Sequence, residues 1–226
     1  MTTHEIQIPP VPHNENDPDK IGRADPPAPS LWPAAVVAIG ILMGLVWGFL
    51  TLPWQAMLIL GVASVVAFVG WIRTNYRRPV RSRRVIATYL CAVAFQFIHM
   101  SEEYNGHFPH EFTQLFHTNH DWSEHAFLLT FVFGFGALWT LAAAGSLYQI
   151  RIANYFLWFY ALGAGLINAI SHFVFPIIKG GYFPGLYTAG GHLILSALLI
   201  VFLIQESRAP RRWDPALTQS LPAATS

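Results

Sequence analysis

The stretch VIATYLCAVAFQFIHMSEE, Val85–Glu103, decides what kind of fold this chain can adopt. It begins as an apolar run, Val85–Ile98, and ends in His99-Met100-Ser101-Glu102-Glu103, an imidazole and two carboxylates. The apolar part alone is too short for a bilayer, which takes about 20 residues to cross. It reaches that length only if the polar pentapeptide is drawn into the membrane with it. Ionisable side chains are expensive at that depth, so they mark a functional site by default. On a helix, His99 shares one face with Glu102 and Glu103, three and four positions further on.

Working outward, Leu31–Leu52, Trp54–Ile72, Ala126–Leu147, Ile152–Phe175 and Leu193–Ile204 are further apolar runs. The last is again short, unless polar Leu186–His192 is counted with it. Of the 226 residues 54% are hydrophobic and only 11% charged, with a mean hydropathy of +0.41. A soluble domain would carry roughly a quarter charged residues. The expected fold is therefore all-α, a polytopic membrane helical bundle of about six transmembrane helices. It forms one domain over residues 31–206. Residues 1–30 and 207–226 are polar and proline-rich, and read as disordered tails. The N-terminal tail lacks the early basic and apolar regions of a secretory signal peptide, so Leu31–Leu52 reads as a retained span. The single cysteine, Cys91, allows no intramolecular disulfide and no cysteine-rich metal site.

Basic residues set the expected orientation. Of the 13 Lys and Arg, all but Lys179 fall in the tails or in the connections at one end of the spans. Arg73, Arg77, Arg78, Arg81, Arg83 and Arg84 cluster between spans two and three, whereas the loop Tyr104–Glu124 has no Lys or Arg. The positive-inside rule then places both termini in the cytoplasm. A multi-pass protein of a bacterial inner membrane is expected, with the lipid bilayer as its main partner. The Arg cluster is short and juxtamembrane, which suits anionic lipid and argues against nucleic acid.

In this orientation the polar residues converge on one depth. His99 lies about 14 residues, or roughly 21 Å, from the cytoplasmic start of its helix. Asn168-Ala169-Ile170-Ser171-His172 puts an amide and an imidazole one turn apart on span five. His192 comes early in span six, and Glu124 with His125 opens span four. Imidazole and carboxylate together suit zinc, iron or manganese. The candidate metal ligands are His99, Glu102, Glu103, His172 and His192, with Glu124, His125 and Asn168 as possible additions. Adjacent carboxylates point about 100° apart on a helix, so one of Glu102 and Glu103 should ligate and the other orient or act as base. His192 alone would read as an interhelical hydrogen-bonder, Asn168 as packing glue, and Glu124 and His125 as a wet helix start. Burying Glu102 and Glu103 with no Lys or Arg on neighbouring spans demands a cation, a shared proton or water.

The loop Tyr104–Glu124 adds His107, His110, His117, His120, Glu111 and Asp121, interleaved with Phe108, Phe112, Phe116 and Trp122. Those aromatics suggest an amphipathic segment that caps the site. After span five, Gly180-Gly181-Tyr182-Phe183-Pro184-Gly185 gives tight turns just before His192, with Thr188 between. Irregular backbone at membrane depth is tolerated where it lines a cavity or packs in protein.

Three motifs, His99-x-x-Glu102-Glu103, Asn168-Ala169-x-x-His172 and Pro184-Gly185-x-x-Thr188, resemble the HxxEE, NAxxH and PGxxT signatures of the HXXEE-domain membrane proteins. The resemblance covers about Val85–Ile204. It implies a multi-pass membrane protein with a metal-dependent or catalytic centre at these same residues.

The preferred functional expectation is a membrane metalloenzyme with a site in the outer half of the bilayer. A zinc or iron ion would be the cofactor, and Glu102 or Glu103 the catalytic base. The simplest chemistry is hydrolysis of a lipid or small apolar substrate. A di-iron oxidase or hydroxylase is a variant that would draw on Glu124, and a proton- or metal-coupled transporter is the rival.

Overall fold

The computed structural model describes residues 30–118 and 122–208. The two tails expected to be disordered lie outside the described residues, and with them Lys20, Arg23, Arg211 and Arg212. So do His120 and Asp121. The described residues are all-α, without a strand, and contain seven helices: α1 Trp32–Thr51, α2 Trp54–Arg73, α3 Arg83–Asn105, α4 Phe108–Leu115, α5 Glu124–Leu147, α6 Arg151–Lys179 and α7 Leu186–Arg208. All but α4 are long and apolar enough to cross a bilayer, which is the six-span bundle expected of the sequence.

Local chemistry sets the breaks. Leu52 is extended because Pro53 disfavours helix at the residue before it, and that separates α1 from α2. Ser123 begins α5 by accepting the Ala126 N–H on its hydroxyl at 3.1 Å. Helix α3 runs unbroken through the polar pentapeptide to Asn105, and α7 starts at Leu186, so both short apolar runs do recruit their polar neighbours.

Helix α3 lies along α7, and α6 packs against α2, α5 and α7. Helix α1 is peripheral: it buries little beyond Pro33, Val37 and Gly48, and touches α2 and the first half of α6. Two eight-residue stretches are π-helical, Leu128–Phe135 in α5 and Tyr160–Ile167 in α6. Such wide turns are rare and often found at functional sites. Hydropathy could not reveal them, because both stretches are apolar all round.

The Arg-rich end is closed by a buried polar knot. Asn154 accepts the Val80 N–H at 2.9 Å and donates to Ser146 Oγ at 2.8 Å, while the Trp158 indole donates to Asn75 at 2.8 Å. Glu206, near the end of α7, accepts the backbone N–H groups of Arg81 and Ser82. These bonds tie the connection that leads into α3 to α5, α6 and α7.

At that opposite end, α4 folds over the bundle. Its Phe108 and Phe112 are buried with Trp122, Phe127, Phe175 and Phe183 in one aromatic cluster. Lys179, the lone cation of this end in the sequence, pairs with Glu111 and ties α4 to α6.

Candidate metal centre

His99 and Glu103 sit one turn apart on the buried face of α3, and His172 faces them from α6. One ligand atom from each lies within 4.8 Å of the others, and all three residues are buried. Glu103 Oε1 is 3.0 Å from His172 Nε2 and 3.5 Å from His99 Nε2. Two ligands about 2.1 Å from a tetrahedral ion stand roughly 3.4 Å apart, so these spacings suit a shared cation. The 3.0 Å contact is also within hydrogen-bonding range, so a proton on His172 or a cation could bridge it. A carboxylate only 5% exposed, whose ion-pair partners among the described residues are imidazoles, needs a positive charge beside it. The donor set, two imidazoles and one carboxylate, matches both catalytic zinc sites and mononuclear non-haem iron sites. The residues therefore fit the group that the sequence called for.

Glu102 points the other way, as adjacent carboxylates on a helix must. It reaches the start of α7 and accepts five hydrogen bonds: from the N–H groups of Gly185 (3.1 Å), Tyr187 (3.0 Å) and Thr188 (3.0 Å), and from the hydroxyls of Thr188 (2.6 Å) and Tyr182 (3.0 Å). It thus caps, from another helix, the N–H groups that the first turn of α7 leaves unpaired. So many donors require the acceptor-only carboxylate. Glu102 is not among the converging ligand atoms.

That arrangement determines the His99 tautomer. The Thr188 hydroxyl has one proton and spends it on Glu102, so at 2.6 Å from His99 Nδ1 it can only accept. Nδ1 therefore carries the imidazole proton, and Nε2 turns a lone pair towards Glu103 and His172. The chain Glu102–Thr188–His99 is a carboxylate–histidine relay of the sort that orients metal ligands. Asn168 Nδ2 lies 2.9 Å from the same Nε2 and donates to that lone pair.

The connection before α7 sits on the imidazoles. Gly185 has φ +91°, and a Cβ there would lie 2.9 Å from His99 Cε1 and closer still to His172. Only glycine permits both that conformation and that approach. Phe108 of α4 covers the His172 ring, centroids 5.5 Å apart.

The other sequence candidates are placed differently. His192 is fully buried with its ring 4.6 Å from that of His99 and 5.2 Å from Phe95, but its nitrogens are not among the converging ligand atoms. Glu124 pairs with exposed His107, and His125 is exposed, so the structure brings neither to the group. Gly185 and Thr188 do reach the site, the last in a relay that its position in a turn did not foretell, while Pro184 packs beside Gly106. Tyr182 was missed altogether. The signal for it was weak: an aromatic hydroxyl in a Gly-rich connector. No family model, no curated protein and no solved structure matches the chain.

Proposed function

We propose that the protein is a mononuclear metal-dependent membrane enzyme, in which His99, Glu103 and His172 hold a divalent zinc or iron ion. The observation that carries this reading is the convergence of three buried ligand atoms, one from each of His99, Glu103 and His172. A cation there supplies a Lewis acid and lowers the pKa of a bound water to about 7. Three protein ligands leave room for water or substrate, as catalytic rather than structural sites do. The resemblance to HXXEE-domain proteins points to the same residues.

Around the ion, this chain's own groups do the positioning. Glu102, through Thr188, keeps the His99 lone pair aimed inward. Asn168 is an amide within reach of the same point, able to donate to a substrate oxygen once it leaves Nε2. Phe108 and the 180–185 connection exclude bulk water. Hydrolysis of an ester or amide in an apolar substrate is the simplest reaction for this donor set. Support for a di-iron centre is weaker, since the group holds one carboxylate and Glu124 sits on His107. Support for a carrier is weaker too: among the described residues, this is the one His/carboxylate group of metal-binding size, with no counterpart at the Arg-rich end.

The test compares wild type and Glu103→Gln, both supplied with zinc or iron and held in nanodiscs of bacterial lipid. Mass spectrometry of the lipids should show hydrolysis products, or hydroxylated products with iron and oxygen, only with wild type. Identical lipid profiles across a broad panel would count against an enzyme acting on lipid.

A further inference from the structure

A second space lies away from the His/Glu group. It is a cleft between α1 and α5, floored by α2 and α6, with a volume of about 370 Å³. On α1 the residues that line it recur at every turn: Val36, Gly40, Gly44 and Gly48. Twelve helical positions span roughly 18 Å, more than half of a hydrocarbon core about 30 Å thick. Spread over that length, the volume gives a mean cross-section of about 20 Å². That is the width of one extended hydrocarbon chain. A helix, about 10 Å across with its side chains, does not fit. Since a cavity of about 150 Å³ holds benzene, this cleft has room for roughly fifteen carbons.

The glycines make the room. A Cβ at Gly40 or Gly44 would meet nothing within 4 Å, whereas one at Gly48 would collide with the Met57 side chain. The wall has no Asp, Glu, Lys, Arg or His, and its Ser64 hydroxyl donates to Leu60 O of its own helix at 2.7 Å. A charged or strongly polar ligand would find no partner there. Val36 and Trp47, each about half exposed, also line the cleft, so it opens sideways onto the lipid-facing surface of the bundle. Protein gives α1 little cover of its own: only Pro33, Val37 and Gly48 are buried.

We infer that this cleft binds one acyl chain of a membrane phospholipid as a fixed part of the bundle. The sideways opening lets the headgroup and the second chain stay in the bilayer. The bound chain fills the space that protein leaves between α1 and α5, where an empty gap would forfeit dispersion contacts. Leu60, Phe135 and Phe159 line both this cleft and the cavity beside Glu103, and so border the chain on one side and that cavity on the other. The site needs no metal, and it stands apart from the enzymatic reading.

The experiment places the full-length protein in nanodiscs of phosphatidylglycerol with a diazirine midway along one acyl chain, and maps the label by mass spectrometry after irradiation. Label is expected on the cleft residues Ile41, Leu138 and Phe156, and also on lipid-facing Phe133 and Val201. When the protein is moved into detergent and washed before irradiation, the cleft residues should still be labelled, and Phe133 and Val201 no longer. Gly44→Leu puts a side chain into the cleft and should lower cleft labelling about tenfold, with wild-type helix content and unchanged label on Phe133 and Val201 in the nanodisc. Gly40→Leu should do the same, so a single misfolded variant does not decide the matter. Cleft label that washes away together with that on Phe133 and Val201 would overturn the proposal, since it would mark ordinary boundary lipid. So would washed wild type that carries no phospholipid by native mass spectrometry, or well-folded leucine variants labelled as strongly as wild type.

Discussion

At the scale of single residues, the centre depends on two neighbouring carboxylates with different work. On the proposed reading, removing Glu103 takes away a ligand, whereas removing Glu102 or Thr188 disturbs the orientation of His99 and, for Glu102, the cap of α7 as well. Thr188→Val and Glu102→Gln should weaken metal affinity by about 10- to 100-fold without abolishing it, as measured by competition with a chelator of known affinity. Wild-type affinity in Thr188→Val would sink the relay. Tyr182 offers a test in the opposite direction of pH. Burial, and then its hydrogen bond to the Glu102 carboxylate, pushes its hydroxyl up to about 12 from the ordinary 10. Because the folded value is the higher one, the protonated phenol contributes stability at neutral pH, and that contribution disappears as pH rises from 10 through about 12. Thermal melts of wild type should therefore lose midpoint over that window relative to Tyr182→Phe, while parallel curves would show that the phenol is uncoupled from folding. The spacing of His99 and Glu103 was readable in the sequence, as was the rule that both carboxylates could not face one ion. Which of the two would ligate was not. That depends on the rotation of α3 against α6 and α7, which a single helix period does not give.

At the scale of elements, apolar length and proline placement gave six spans, and the polar ends of α3 and α7 extended them as read. The π-helical stretches were hidden because a 3.6-residue period cannot be told from a wider one where every position is apolar. The connector before α7 was readable only as a tight turn, not as a strap lying on two imidazoles. Gly185→Ala tests that contact. A left-handed alanine and an overpacked Cβ together should cost about 2–4 kcal/mol in unfolding, with metal affinity falling as the rings shift. A variant with wild-type stability and metal content would mean that the connector does not press on the rings.

At the scale of the whole molecule, the polar chemistry is segregated. Arginines and a structural knot occupy one end; the His/Glu group, an aromatic cover and a cavity of about 90 Å³ beside Glu103 occupy the other half of the bundle. The placement of Lys and Arg along the chain is enough to make that asymmetry legible in the sequence. Glu124, paired with His107 rather than with the group although placed with it by depth, shows the limit of depth alone as a guide: helices share a level without sharing a face. The most direct measurement of the central claim is elemental analysis of detergent-purified protein after metal reconstitution. Wild type stands beside Glu103→Ala, His172→Ala and Glu124→Ala, each checked for helix content. The account predicts near-stoichiometric zinc or iron in wild type and Glu124→Ala, and its loss in Glu103→Ala and His172→Ala. Well-folded wild type without metal, or a Glu103→Ala variant that keeps a full complement, would contradict it.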